Sequence, residues 1–234
     1  MMQQSKLNIL VTGASRGIGA AIARQLGSVH NIVLLGRDQQ ALNTTATQIS
    51  DGNVAVMQCD IRSTSDVQHV CSSIGAIDVV VNNAGVAEFA DAVDQTLESE
   101  IRQIETNLIG PITLIRELLP GMIARERGMV ITVNSIAAVT VFRGAAAYSA
   151  SKAGMLAYTR SLRQETREHG IKVIDLLVGA TDTEIWSVRS RQEHAHRMLS
   201  SQHIADVVQT LVDSFDDKRL LIEEITIRPQ LGDL

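Results

Sequence analysis

The sequence predicts a doubly wound α/β domain with a mostly parallel sheet of about seven strands, and three observations carry that prediction. Short apolar runs recur along the chain at Leu7 to Val11, Ile32 to Leu35, Val54 to Met57, Ile77 to Val81, Met129 to Val133, Val173 to Val178 and Ile222 to Ile227. They are continuously apolar rather than alternating, as strands covered on both faces must be, and helical spacing fills most of the intervals between them. The 234 residues, 45% hydrophobic, are enough for one large core, and with three prolines, no repeat and no low-complexity stretch they offer no linker, so residues 1–234 read as a single domain.

Charge and cysteine usage narrow the function classes. The formal charge is −5, with 21 basic and 26 acidic residues interspersed along the chain, so no polyanion-binding surface is expected and nucleic acid is not an expected partner. Cys59 and Cys71 form neither a metal-ligand pattern nor a disulfide framework. No apolar run reaches membrane-spanning length, and MMQQSKLNIL lacks the apolar core of a secretion signal. The expectation is a cytoplasmic protein without membrane contact.

The first strand runs into Thr12-Gly13-Ala14-Ser15-Arg16-Gly17-Ile18-Gly19, after which Ile18, Ile22 and Leu26 share one helical face. Glycines at a strand-to-helix junction permit a tight turn, close approach of a phosphate to backbone N–H groups, and close packing of helix on strand; the helix amino terminus then faces the anion. The spacing is not GxGxxG, but its setting between strand and helix reads as a dinucleotide site. The second strand ends Leu34-Leu35-Gly36-Arg37-Asp38, where NAD-binding folds place an acid on the ribose. Arg37 stands there first, and with Arg16 it can clamp a 2′-phosphate, which points to NADP. Asp38 is the rival, with a second reading as cap of a helix beginning at Gln39. Asp60, after the third strand, can accept from an adenine amino group or serve as an ordinary turn residue.

The fourth strand ends Val81-Asn82-Asn83-Ala84-Gly85. Leu97 to Leu119 reads as one helix with Leu97, Ile101, Ile104, Leu108, Ile112, Ile115 and Leu119 on a core stripe. Pro111 interrupts it and has no N–H for the Asn107 carbonyl, which leaves that oxygen free if the helix runs through. The fifth strand ends Asn134-Ser135, and Tyr148-Ser149-Ala150-Ser151-Lys152 opens another helix, with Tyr148 and Lys152 one turn apart on one face. Lowering a tyrosine pKa by three units corresponds to about 4 kcal/mol. One positive charge about 4 Å away at an effective dielectric near 20 is worth about the same, so Lys152 can poise Tyr148 as acid and base. Ser135, at a strand's carboxyl end, can donate to the same substrate oxygen.

Taken together, the Thr12 to Gly19 turn, Asn82-Asn83-Ala84-Gly85, Asn107, Ser135, Tyr148 and Lys152 resemble the short-chain dehydrogenase/reductase family, a Rossmann-type fold, from about Leu7 to Thr183. The resemblance implies that Tyr148 donates a proton in carbonyl reduction, Ser135 orients the carbonyl, and Lys152 holds the nicotinamide ribose and lowers the tyrosine pKa. Asn107 would bind a water linking Lys152 to solvent, which fits the free carbonyl inferred from Pro111. It also implies that Gly13, Ser15, Arg16, Gly17, Ile18, Gly19, Arg37, Asp60, Asn82, Ala84, Gly85 and Thr183 join Tyr148 and Lys152 in holding NADP(H). The substrate would be a small carbonyl or alcohol, and the helices from Leu97 and Tyr148 would form the interfaces of a homodimer or homotetramer.

Two features depart from the family pattern. Val178-Gly179 stands where many members carry Pro-Gly, so the turn placing Thr183 loses a rigid residue. Ile225 to Gln230 lacks the glycine-rich ending of many fatty-acid-type reductases. Residues 184–202 would close over the substrate, with Trp186 contacting it or packing the loop on its own domain or a neighbouring subunit. Glu193, His194, His196 and His203 fit no defined metal spacing and read as a solvated helix face, so no metal is expected. The alternatives to an NADP-dependent oxidoreductase are a nucleotide-sensing protein without turnover and an NAD-dependent alcohol dehydrogenase resting on Asp38.

Overall fold

A computed structural model describes residues 6–50 and 53–233, so the first half of MMQQSKLNIL lies outside it. Strands β1 (Asn8–Thr12), β2 (Asn31–Gly36), β3 (Val54–Gln58), β4 (Val79–Asn82), β5 (Gly128–Ser135), β6 (Ile171–Val178) and β7 (Glu224–Ile227) form one sheet in the order β3-β2-β1-β4-β5-β6-β7, parallel throughout. The helices are α1 (Gly17–Gly27), α2 (Gln39–Thr47), α3 (Thr64–Ser73), α4 (Leu97–Ile104), α5 (Gly110–Ala124), α6 (Ala146–Thr166), α7 (Val188–His194) and α8 (Ser201–Asp213). All seven apolar runs of the sequence lie in or against these strands.

The continuous apolar pattern follows from two cores. Alternate side chains of each strand point to opposite faces. Ile9, Val11, Leu34, Val79, Val81 and Ile131 bury against Ile22 and Leu26 of α1 and Ile204 and Val208 of α8. Leu10, Leu35, Val80, Val130 and Val173 bury against Val67 of α3, Leu114 and Ile115 of α5 and Leu162 of α6. Each fully buried aliphatic side chain contributes roughly 1.5–3 kcal/mol, so neither face tolerates the polar alternation of a half-exposed sheet.

The helix expected from Leu97 to Leu119 departs from the simple stripe. It is continuous but holds a π-helical turn, Glu105–Ile109, between α4 and α5, where the Gly110 N–H reaches back five residues to the Glu105 carbonyl. One inserted residue rotates the upstream helix by about 100° relative to the downstream part. Leu97 and Ile101, expected in the core, are therefore 69% and 47% exposed, and α4 instead buries Ser99 and Gln103. The Ser99 hydroxyl donates to the Glu88 carboxylate (2.6 Å) and the Gln103 carbonyl oxygen accepts from the Glu88 N–H (3.1 Å), while the Gln103 amide nitrogen has no partner among the described residues.

Candidate active site

Strand order reverses between β1 and β4, and ligands in such sheets sit at the carboxyl ends of the strands flanking that point. There β1 leaves into the glycine turn, with Gly13 at φ +64° and Gly17 at φ +54°. A Cβ on Gly13 would lie 2.9 Å from the Ala84 Cα, and one on Gly19 only 2.3 Å from the Gly13 carbonyl oxygen, so α1 approaches the strand as closely as a backbone can. Asn83, named in the Asn82-Asn83-Ala84-Gly85 motif but given no role there, closes this turn. Its side-chain amide donates to the carbonyls of Thr12 (2.9 Å) and Gly13 (3.3 Å), while the N–H groups of Asn83 and Ala84 both donate to the Thr12 hydroxyl (2.9 Å each).

The same turn leaves the start of α1 open. Helices α2, α3, α4, α7 and α8 are capped by the side chains of Asp38, Ser63, Thr96, Ser187 and Ser200. At α1 the N-cap residue is Arg16, which makes no side-chain cap, and no acidic residue stands in the first turn. The first-turn N–H groups after Ser15 and Arg16, at Gly17, Ile18 and Gly19, thus form a cradle suited to a dinucleotide pyrophosphate. Asn82 adds a buried side-chain amide for which no hydrogen-bond partner is found among the described residues.

Beyond the ends of β2 and β3 lies a cleft of about 470 Å³ lined by Arg37, Gln58, Asp60, Ser65, Asp66 and His69. Arg37 is exposed, and its carbonyl accepts from the Gln58 amide (2.9 Å). Asp38 accepts from the Ala41 N–H (3.0 Å), so its side chain serves as the α2 cap. Asp60 receives the Arg62 guanidinium at 2.6 Å, and that hydrogen bond holds its carboxyl below the usual range.

Asn107, Ser135, Tyr148 and Lys152 come from the π-turn, the end of β5 and the first turns of α6. The Asn107 side chain grips the Val86 backbone reciprocally, accepting from its N–H and donating to its carbonyl (2.8 Å each), and donates to the Ser151 hydroxyl (3.0 Å). Ser151 in turn donates to the Tyr148 carbonyl (2.6 Å). Lys152 is 7% exposed, and its ammonium donates to the Val133 carbonyl (3.1 Å) and lies 5.9 Å from the Tyr148 ring centroid. Asn134 accepts from the Ser135 N–H (2.8 Å) and donates to the Lys152 carbonyl (3.3 Å), joining the strand end to the helix. A Cβ on Gly85 would sit 3.4 Å from the Asn107 Oδ1 and 3.8 Å from the Lys152 Nζ, so this glycine opens the cleft floor.

The electrostatics differ from the sequence expectation. Burial raises the Tyr148 pKa and outweighs a hydrogen bond with Ser135 that lowers it. Burial also pushes Lys152 down to about 8, against the attraction of Asp175. Desolvation disfavours the charged form of both groups, and this opposes the lowering of the Tyr148 pKa expected from Lys152.

The Val178-Gly179 turn is stiffened without a proline. The Gly179 N–H donates to the Ile227 carbonyl (2.8 Å), Thr181 bridges to Leu199, and Arg191 pairs with Asp182 at 2.6 Å. Thr183 then rests against the glycine turn, its Cγ2 3.3 Å from where a Gly17 Cβ would stand. Residues 184–202 are mostly helical rather than an open loop, since α7 and a short 3₁₀ turn, Ala195–Arg197, occupy most of the span. Trp186 packs on its own domain, stacked on Phe89 at 5.5 Å, and Phe89 meets Tyr148 edge-on at 5.8 Å. Phe89 sits in a segment without periodicity and carried no signal in the sequence. In the Glu193, His194, His196 and His203 group, read from the sequence as a solvated helix face, Glu193 pairs with Arg189, and His203 completes a capping box with Ser200.

A family model described as short chain dehydrogenase matches residues 7–194. An uncharacterized oxidoreductase of Staphylococcus epidermidis is 32% identical over 225 residues, covering 94% of this chain and 96% of that one. Among solved structures, a metagenomic short-chain oxidoreductase in complex with NADP is 33% identical, with a TM-score of 0.84 over 97% of this chain and 99% of that one. An actinorhodin polyketide ketoreductase variant with NADPH is 26% identical, with a TM-score of 0.87 over 100% of this chain and 99% of the other.

Proposed function

Because the chain belongs to the short chain dehydrogenase family, we propose that it is an NADP-dependent oxidoreductase acting between a ketone or aldehyde and the corresponding alcohol. The observation that carries the reading is the convergence of Asn107, Ser135, Tyr148 and Lys152 beside an uncapped, glycine-lined helix start. The relatives with bound NADP and NADPH favour this cofactor, as does Arg37 exposed at the end of β2 while Asp38 is spent as a helix cap.

The turn from Gly13 through Ser15, Arg16, Gly17 and Ile18 to Gly19 would hold the pyrophosphate, and Arg16 with Arg37 the 2′-phosphate. Asp60 would face the adenine, Asn82, Ala84 and Gly85 would line the cleft, and Thr183 would contact the nicotinamide carboxamide. When bound, the cofactor supplies hydride to the carbonyl carbon. Tyr148 gives its hydroxyl proton to the carbonyl oxygen, which Ser135 orients by a hydrogen bond. Lys152 binds the nicotinamide ribose and returns a proton to Tyr148. The Asn107 carbonyl, denied an N–H by Pro111, holds the water through which that proton arrives.

Loss of NADPH absorbance over a panel of ketones tests the activity. Tyr148→Phe is expected to cut kcat by about a hundredfold to ten-thousandfold while NADPH still binds; retained turnover would refute the mechanism. Arg37→Ala should weaken NADPH about ten- to a hundredfold relative to NADH, and a parent protein that prefers NADH overturns the cofactor assignment.

We place the protein in the reducing cytoplasm, as a homodimer or homotetramer joined through α4, α5 and α6. Leu97, Ile101 and Ile109 expose apolar surface on that side, and a monomer in light scattering removes the assembly reading.

A further inference from the structure

Building on that reading of the site, we propose that Phe89 and Trp186 form an aromatic wall beside Tyr148 that selects carbonyl substrates bearing a flat aromatic or conjugated substituent. Aromatic residues are scarce in this chain: three phenylalanines, two tyrosines and one tryptophan. Three of them stand in one row. Trp186 stacks on Phe89 with 5.5 Å between centroids and 19° between planes, and Phe89 meets Tyr148 at 5.8 Å and 69°. These are the offset-stacked and edge-to-face geometries that aromatic pairs prefer.

The middle ring is fixed from both sides. The Glu88 N–H is held by Gln103, its carboxylate accepts from Ser99 and Arg102, and the Ala90 N–H donates to the Gly144 carbonyl (2.9 Å). So firmly anchored a phenylalanine would ordinarily fill a core, yet Phe89 is 45% exposed. Its ring stands edge-on to that of Tyr148, whose hydroxyl would protonate the substrate. Trp186 belongs to a different kind of segment. Its N–H donates to the Thr183 carbonyl (3.2 Å), and Thr183 rests on the Gly17 turn. One ring is therefore a platform built into the fold, and the other rides on the segment that touches the nucleotide turn. A flat substituent on the substrate can extend the row, gaining stacking that a saturated group of equal size does not.

The test compares acetophenone with cyclohexyl methyl ketone, which share a carbon skeleton and differ in the π-system. The parent protein with NADPH is expected to favour acetophenone in kcat/KM by about three- to tenfold, mainly through KM. Phe89→Leu and Trp186→Leu should each bring that ratio toward unity, while Phe89→Tyr, which keeps the ring, should preserve it. Phe89 is too exposed for these changes to endanger folding. Equal efficiency toward both ketones in the parent, or a ratio unmoved in both leucine variants, overturns the proposal while leaving the reductase reading intact. If neither ketone is turned over, the reductase reading is what fails, and the wall is then judged by the fluorescence of Trp186, the chain's one tryptophan. In the presence of NADP⁺, saturable quenching by benzyl alcohol at lower concentration than by cyclohexylmethanol supports the wall, and an equal or absent response refutes it.

Discussion

At Lys152 a single side chain sets stability against chemistry. Its pKa falls from 10.5 to about 8 because the ammonium is buried. Between those values the folded protein binds fewer protons than the unfolded chain, so stability rises with pH across that window. Below pH 8 the buried charge costs about 3 kcal/mol. Lys152→Met is therefore expected to be more stable than the parent near neutral pH, by up to about 3 kcal/mol, with the advantage gone by pH 10.5. Urea unfolding of the cofactor-free proteins at several pH values checks this, and a variant less stable at neutral pH contradicts it. Of the four residues that meet at the candidate site, Tyr148 and Lys152 stood out in the sequence by their four-residue spacing and Ser135 by its place at a strand end, while the role of Asn107 came from the family resemblance. The role of Asn83 and the place of Phe89 were not legible there. Asn83 acts through backbone carbonyls some seventy positions away, and Phe89 owes its place to bonds made by its neighbours Glu88 and Ala90.

Between α4 and α5, the π-turn carries Asn107, whose side chain reaches the backbone of Val86. That side chain satisfies one backbone donor and one backbone acceptor of the segment after β4. Asn107→Ala leaves both without a protein partner and is expected to cost about 2–4 kcal/mol. Hydrogen exchange at Val86 should accelerate more than exchange in β4; unchanged protection at Val86 argues against the clamp. The strands were easy to read because two-sided burial writes an unbroken apolar run. The face of α4 was misread for a physical reason: one extra residue shifts the phase of the helix, and periodicity counted across it averages two incompatible stripes. The turn after β6 was readable as a departure, but its replacement brace, the Thr181–Leu199 bridge, joins segments with no shared sequence signal.

Across the whole molecule, the sheet edge is tied to the helical layer by a buried ion pair. Arg163 of α6, 2% exposed, donates to the Asp175 carboxylate of β6 (3.0 Å) and to the backbone carbonyls of Val173 and Glu223, while Arg160 pairs with Glu224 of β7. Burial lifts the Asp175 pKa from 3.8 to about 6, so the folded state favours its protonated form and stability is lost as pH rises through that interval. Arg163→Leu strands the carboxylate and should cost about 3–5 kcal/mol above pH 6, less in acid, by denaturant midpoint. Adding Asp175→Leu should restore most of the loss; a double variant as weak as the single one sinks this account. The place of β1 inside the sheet, next to β4, has a temporal consequence as well. Its partner β4 and the Asn83 amide that closes the glycine turn lie about seventy residues downstream, so on the ribosome the phosphate cradle stays unassembled while β2, β3 and their helices are made. A nascent chain halted before Asn82 would carry every glycine of the cradle and none of its latch.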